Sequence, residues 1–581
     1  MRRRRRSRSR RAAALTGLLV ALVASTLVCG YVGLREYYPG ASYSRADLVY
    51  MTLQLFALQL TVEPARAGWA LEYARFMAAA LAGYAIVRAL ALLFAGELLV
   101  LRLRWRRGHT IICGLGRKGL QLAEGLLDAG ERVVIIENDE DNDHLTVARE
   151  LGALCVLGDA TDPHILARAN LWRARRLIAL AGNDGTNVEI VLRARGLPEA
   201  THRRGAPLAC HVHIVDLRLS GLLRQSRLLS GEEPARHTVR VFNVFENSAR
   251  LLLHEHPLDH VHIAEKDPRT VHLVVVGLGQ MGESLVLQAA RIGHFASGKA
   301  PRITVVDVRA EQKGRLFCAR YPGLEHAASL RFLEGHLEDP RILSELATLA
   351  SDAEQVATVA ICLDDDHRSL RAALQLNERL LAQKLPIRVR MAHRMGLAAL
   401  SRSADGSIGL SVFGLLDELC KPDAMLGETL DRLARACHEE YLARKLATEP
   451  LRSRPALFPW DDLDETYRES NRQQADHIPV KLRAIGCTIR ARAPEASAPP
   501  VTFSEDETKL LAQMEHARWC ADRWLAGYTW GPGDPDPVRR THPCLVPWAK
   551  LGESHQDNDR AAVGNIPRLL ALAGQEIVRL P

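Results

Sequence analysis

Hydrophobic positions along this chain change their spacing twice. Residues 12–33, "AAALTGLLVALVASTLVCGYVG", form an uncharged apolar run, and residues 76–101 form a second that carries Arg88 and Glu97. A bilayer needs about 20 consecutive apolar residues, so both runs predict membrane-spanning helices. Between them, "DLVYMTLQLFALQLTVEP" holds an apolar stretch of about 14 residues, too short to cross and suited to a re-entrant or interfacial helix. From His109 onward the runs shorten. "HTIIC" and "RVVIIE" flank the helix-period segment "KGLQLAEGLLDAG", and "VHLVVVGLGQMGESLVLQAA" followed by "RITVVD" repeats the layout. Strands that alternate with helices predict parallel sheets. From about Leu430 the pattern becomes mainly helical, opening on the amphipathic "LDRLARACHEEYLARKLA", with an Ala/Pro-rich linker, "RAPEASAPPVTF", inside it.

Length supports this division, since 581 residues exceed what one core serves. The expected parts are a basic tail (1–11), two membrane helices with a short pore-like helix between them (12–107), two α/β domains (108–250 and 251–415) and a mainly α domain (425–581). Charge narrows the function. The first eleven residues carry eight arginines, which account for the whole net charge of +8. The rest is balanced, so a basic face for nucleic acid is not expected. The tail reads instead as a topology signal or a contact with anionic lipid. A second basic cluster, "RLRWRR" at 102–107, follows the second run, so both outer ends are expected on the cytoplasmic side of a multi-pass membrane protein. A cleaved secretory signal is the rival reading, but the first run is long for one and no clear small-residue cleavage site follows it. Glu97 is expected near the interface and Arg88 to snorkel or pair. The eleven cysteines include no CxxC pair, which suits reduced thiols and no metal site.

The candidate chemistry begins at the glycine turns. Gly114, Gly116 and Gly119 follow a strand and open a helix, and Glu137 ends the next strand. In that context the first glycine makes the tight turn, the second admits a pyrophosphate, the third lets helix pack on strand, and the acid meets ribose hydroxyls. Leu115, Arg117 and Lys118 lie within the turn. The second copy has Gly277, Gly279, Gln280, Met281 and Gly282, with Asp307 as its acid. Both domains are therefore expected to be Rossmann-like.

"GDATDPHIL" with "NDGTNVEI" farther on resembles the RCK/TrkA-N domain, a regulatory domain of potassium channels and transporters. The resemblance implies that Asp159, with Ala160, lies beside a regulatory nucleotide, NAD/NADH or ATP/ADP. It also implies a membrane attachment through which ligand-driven movement acts, and an inner-membrane location. The second copy departs from the pattern: in "EGHLEDPRIL" His336 replaces the acid, and Asp364, Asp365 and Asp366 stand where the first copy has "AGNDGTN". The short helix is followed by "QLTVEPARAG", not by the TVGYG-like filter of potassium channels.

In the last third, the cues in "EHARW", "RWLAGY", "HPCLVPW" and "DRAAVGNIP" resemble the RyR domain, named from ryanodine receptors and also found in bacteria, over roughly 430–580. Asn471, Arg472, Arg518, Trp519, Tyr528, His542 and Trp548 offer stacking faces and donors for a flat, charged, nucleotide-derived ligand. Glu515-His516 is not expected to act as acid and base, because no nucleophile is seen at useful spacing. The expected function is ligand-gated cation conductance, potassium-like or other, or control of ion transport. The alternative is a non-conducting anchored sensor, and an NAD(P)-dependent oxidoreductase ranks third, since no catalytic domain follows either turn. Expected partners are the lipid bilayer and nucleotides. A pore from two spans per chain implies a homo-oligomer of about four chains. The join at Leu101 to His109 is short, with Gly108 its flexible point, and a helix continued through Arg107 would make it stiff.

Overall fold

The computed structural model describes residues 2–40, 43–59, 67–94, 101, 103–197, 206–225, 237–380, 385–392, 410–425, 431–446, 450–453, 455–492 and 501–580. It forms two compact units, Met1–Trp105 and Arg106–Pro581.

Among the described residues the first unit holds α1 (Arg2–Tyr37), α2 (Arg45–Phe56) and α3 (Trp69–Leu93). Thr16–Tyr37 and Trp69–Leu90, 22 residues each, are long and apolar enough to cross a bilayer. The second apolar helix therefore starts at Trp69, earlier than the expected position 76, because Glu72 and Arg75 pair with each other at 2.9 Å and so fit the first helical turns. Glu97 and the segment 60–66 lie outside the described residues. Arg88 donates to the Tyr84 hydroxyl at 3.2 Å. Small residues let the helices approach: a Cβ on Gly33 would stand 2.6 Å from the Leu71 nitrogen, and one on Gly30 2.8 Å from Thr52 Cγ2. Helix α2 starts at a capping box, with Asp47 Oδ2 accepting from the Ser44 amide at 2.7 Å and Ser44 Oγ from the Asp47 amide at 3.3 Å.

The join is not helical through Arg107. The chain turns at Trp105, the Gly108 amide donates to the Arg173 carbonyl at 2.8 Å, and Asn170 Nδ2 donates to the Arg106 carbonyl at 3.0 Å. These bonds, with Gly108 at φ +65, draw the backbone out of a helix and into the first strand.

In the second unit the first sheet contains β1 (Thr110–Cys113), β2 (Val133–Glu137), β3 (Leu154–Leu157), β4 (Arg176–Ala179), β5 (Leu208–His213) and β6 (His237–Phe242). Its order is β3-β2-β1-β4-β5-β6, parallel throughout. The second holds β7 (Thr270–Val276), β8 (Arg302–Asp307), β9 (Ser329–Glu334), β10 (Gln355–Ile361), β11 (Ile387–Arg390) and β12 (Leu410–Phe413). It repeats the order as β9-β8-β7-β10-β11-β12, again parallel. Both are the Rossmann arrangement, whose ligand crevice lies where the order reverses, at β1/β4 and β7/β10.

Five helices carry or brace the candidate site residues: α4 (Arg117–Asp128), α5 (Val244–Glu255), α6 (Gln280–Ile292), α7 (Glu465–Ala484) and α8 (Glu505–Leu525). With α9 (Glu553–Gly564) and the antiparallel pair β13 (Cys487–Ala491) and β14 (Gln575–Arg579), the last two belong to the mainly helical C-terminal region. That region shares its core with the second sheet: Leu285, Phe317, Trp460, Leu511 and Leu569 belong to one buried cluster. Helix α6 is buried nearly all round because it lies between that sheet and α5, α7 and α8. Just past β12 the chain returns to the first sheet, where Leu419, Cys420 and Met425 join its core, and Pro422 packs where α4 has only Gly125.

Candidate functional site

The site forms where β1 runs into α4. Gly114 takes φ +101, and a Cβ there would lie 2.8 Å from the Leu180 carbonyl oxygen, so only glycine fits. A Cβ on Gly119 would stand 2.2 Å from the Gly114 carbonyl oxygen. Gly116 differs: its φ of −69 suits any residue and nothing lies within 4 Å of the Cβ position. The chain does not need this glycine to fold. What the missing side chain leaves is open space before the first amides of α4, where helix geometry favours an anion.

Glu137 is held at this turn by backbone. Its Oε2 accepts from the Leu115 amide at 2.6 Å, and Oε1 from the Asn138 and Asp139 amides at 2.9 and 3.0 Å. Asp159 is exposed, with Oδ1 accepting from the Thr161 amide and hydroxyl, both at 2.8 Å. Lys118 Nζ lies 3.3 Å from His213 Nε2 and 5.5 Å from the centre of the Phe245 ring. Burial lowers the Lys118 pKa. Burial, with the Lys118 charge, pushes His213 down to about 3, so His213 is neutral and accepts from Lys118. Asn243 sets Phe245 in place: its Oδ1 caps α5 through the Phe245 and Glu246 amides at 2.7 and 3.1 Å, while Nδ2 ties back to the Ile214 carbonyl at 2.7 Å.

Gly114, Leu115, Gly116, Arg117, Lys118, Gly119, Glu137, Asp159 and Ala160 all line one cleft of about 750 Å³. Its far wall comes from the second sheet's side: Met281, Arg390, Ala392 and Gly414. The residues that sequence reasoning missed are Phe245 and Arg390. Arg390 reaches the cleft only through packing of the two sheets, whereas Phe245 opens α5 within "FNVFENSARLLL", where the Asn243 cap sets it.

The second turn has the same mould but a different mouth. Gly277 takes φ +97, a Cβ on Gly282 would stand 2.1 Å from the Gly277 carbonyl oxygen, and the Leu278 amide donates to Asp307 at 2.9 Å. Yet Asp307 is already neutralised by Lys313 Nζ at 2.7 Å. Burial works to raise its pKa, but Lys313 and two amides hold it below the usual range. The Asp364 carboxylate lies 3.8 Å from where a Gly279 Cβ would be. His336 is exposed. Of the second set, Met281 belongs to the first cleft, and the buried Gln280 Oε1 makes no hydrogen bond among the described residues.

The seven C-terminal candidates are not brought together. Trp519 and His542 meet edge-to-face at 4.7 Å, and His516 lies between Trp519 at 6.1 Å and Trp548 at 5.9 Å. Tyr528 faces Arg523. Arg518 turns inward, 2% exposed, with Nη2 on Glu515 Oε1 at 2.8 Å, and Lys481 joins the same carboxylate. Arg472 is forked onto Asp431 at 2.7 and 2.6 Å and also bonds Glu465. Asn471 Nδ2 donates to the Tyr467 carbonyl at 2.8 Å. Both arginines thus serve internal ion pairs, because buried carboxylates require a counter-charge. His516 places Nε2 at 2.8 Å from the Val546 carbonyl and Nδ1 at 3.5 Å from Asp559 Oδ2. Burial opposes its charge, but Asp559, then Cys520 and the Val546 carbonyl, raise its pKa to about 10. Cys520 Sγ lies 3.5 Å from Nε2, but both groups are buried.

Comparison with known proteins agrees on two segments. Residues 110–204 match the family model of the TrkA-N domain, and residues 503–579 that of the RyR domain. Potassium channel protein 1 of Methanocaldococcus jannaschii is 35% identical over 96 residues, covering 16% of this chain and 29% of its own. A Trk system potassium uptake protein TrkA homolog of Methanothermobacter thermautotrophicus is 37% identical over 101 residues, 17% of this chain and 46% of its own. The chain thus spans less than half the length of these curated relatives. A solved chain described as the GsuK channel bound to NAD aligns over 86% of this chain and 89% of its own, at 16% identity and a TM-score of 0.38.

Proposed function

We propose that the chain is a membrane-tethered nucleotide sensor whose first cleft binds NAD/NADH or ATP/ADP and controls passage of potassium or another cation across the bilayer. One observation carries the reading. Within the segment matching the TrkA-N domain, the turn leaves open space at Gly116 and pins Glu137 beside it through backbone amides, with no cation on the carboxylate among the described residues. The fit is chemical: helix amides and Lys118 suit a pyrophosphate, and Glu137 suits ribose hydroxyls while disfavouring a 2′-phosphate. The second turn, with its acid taken by Lys313 and Asp364 at its mouth, suits a phosphate poorly, so the first cleft is the regulatory site.

The ion is suggested by the names of the relatives, which are potassium channels and potassium uptake proteins. These names also support a regulatory protein over an enzyme. Two apolar helices flanking a 12-residue helix support a pore domain, which closes as a tetramer. The basic clusters support cytoplasmic termini and an inner-membrane location. The Trp519–His542 face supports recognition of a nucleotide-derived ligand by the C-terminal domain. Because "QLTVEPARAG" replaces a potassium filter, a non-conducting anchored sensor acting through a partner is the second reading. The full chain in liposomes, assayed for cation flux with and without NAD, NADH, ADP and ATP, tests the proposal. Nucleotide-dependent flux is expected. Binding without flux moves the conclusion to the anchored sensor, and no binding overturns both.

A further inference from the structure

We infer that Arg390, carried by the second sheet, is a phosphate-binding residue of the first cleft, so that a nucleoside diphosphate or dinucleotide bound there is gripped by both sheets at once. This rests on the nucleotide reading of the cleft.

Arg390 is the last residue of β11, at the carboxyl end of the second sheet, and it lines the first cleft. Its guanidinium stands 5.5 Å from the centre of the Phe245 ring, the same ring that Lys118 approaches at 5.5 Å from its own side of the cleft. Two cations thus converge on one aromatic ring in the cleft that also holds the open space at Gly116. Arg390 is only partly matched. Nη1 donates to the Leu363 carbonyl and to Asp364 Oδ1, both at 3.0 Å, while Nε and Nη2 make no hydrogen bond among the described residues. The Asp364 side chain is 89% exposed against 16% for Arg390, so water weakens the pair from the acid's side. A guanidinium presents a planar fork of five N–H donors that matches phosphate oxygens. A phosphate entering beside Gly116 meets that fork with donors to spare.

Asp364 is also the acid facing Gly279 in the second turn, where the first copy has Gly182. It is therefore the built-in competitor for Arg390. Ligand in the first cleft draws the guanidinium toward phosphate and leaves Asp364 uncompensated at the second turn, which links occupancy of one sheet's site to the electrostatics of the other.

The test is calorimetric titration of the full chain in detergent with ADP, and with adenosine by competition. Arg390→Met should weaken ADP about tenfold or more, as expected for loss of a charge-assisted contact, while leaving adenosine unchanged. Arg390→Lys should lose less, since it keeps the charge without the fork. Asp364→Asn, an exposed change that leaves the core untouched, should tighten ADP. Wild-type affinity in Arg390→Met, or equal loss of ADP and adenosine, overturns the inference while the cleft reading stands. If the unaltered chain binds neither ADP nor NAD, the nucleotide reading itself falls, and the inference with it.

Discussion

Gly116 and Gly119 look alike in the motif, yet they should fail in different ways. In Gly119→Ala the new Cβ would stand 2.2 Å from the Gly114 carbonyl oxygen and 3.2 Å from its carbon. That carbonyl is not free to move, because Gly114 is itself wedged against Leu180 and Ala181. Overpacking of this kind costs about 1–3 kcal/mol, against which alanine's helix propensity returns about 1 kcal/mol. The expected result is a net loss of stability of up to roughly 2 kcal/mol. In Gly116→Val the new Cβ strikes nothing and φ is ordinary. Loss of a preferred N-cap residue costs about 0.5–1 kcal/mol. The isopropyl group instead occupies the space before the first helix amides, so binding of NAD and ADP should fall at least about tenfold, or 1.4 kcal/mol. Gly279→Val, the same change in the second turn, should leave that affinity unaltered. Calorimetry read beside circular-dichroism melts of the full chain separates the two effects. Wild-type binding in Gly116→Val, or its loss in Gly279→Val, would refute the assignment of the first turn as the ligand site.

The imidazolium of His516 should give the C-terminal domain a pH signature. Its folded pKa of about 10 lies above the unfolded value of about 6.5, so its stabilisation is complete below pH ~6.5 and is lost as pH rises toward ~10. Unfolding midpoints should fall across that window and lose most of the slope in His516→Gln; an unchanged slope contradicts the protonation inferred from Asp559, Cys520 and Val546. Arg250, on the helix that starts at the cleft, forks onto Asp476 of α7 at 2.7 and 2.8 Å, with side chains only 7% and 19% exposed. Arg250→Met should therefore cost about 3–5 kcal/mol in urea unfolding, and a loss below about 1 kcal/mol would show the pair to be dispensable. Ten Gly/Ser residues inserted after Arg107 should leave nucleotide affinity intact while abolishing nucleotide-dependent flux in liposomes; persistence of that flux would show that this join does not carry the coupling.

Local pattern was enough to predict the apolar helices, both alternating sheets and the shape of the first glycine turn, because these depend on residues close in sequence. Period decides helix or strand, and the Gly114, Gly116, Gly119 spacing decides where backbone approaches backbone. Even Glu137, from the next strand, is placed by the crossover alone. The join at Arg107 was not legible, since its extended path depends on Asn170 and Arg173, which reach it only when the first sheet closes. Nor could sequence separate the two turns fully. Asp307 and Glu137 occupy the same place in the motif, and only the fold sets Lys313 on one and leaves the other to backbone amides. The same holds for Arg472 and Arg518, which are good ligand donors by type but are taken by Asp431 and Glu515 once the helices pack. Arg390 completes the cleft from a segment with no motif. Chain-local geometry thus determined which elements form and where the first turn leaves open space at Gly116. The competition among buried charges for partners, which depends on distances that exist only after the two sheets and the helical region pack, decided which side chains remain for a ligand.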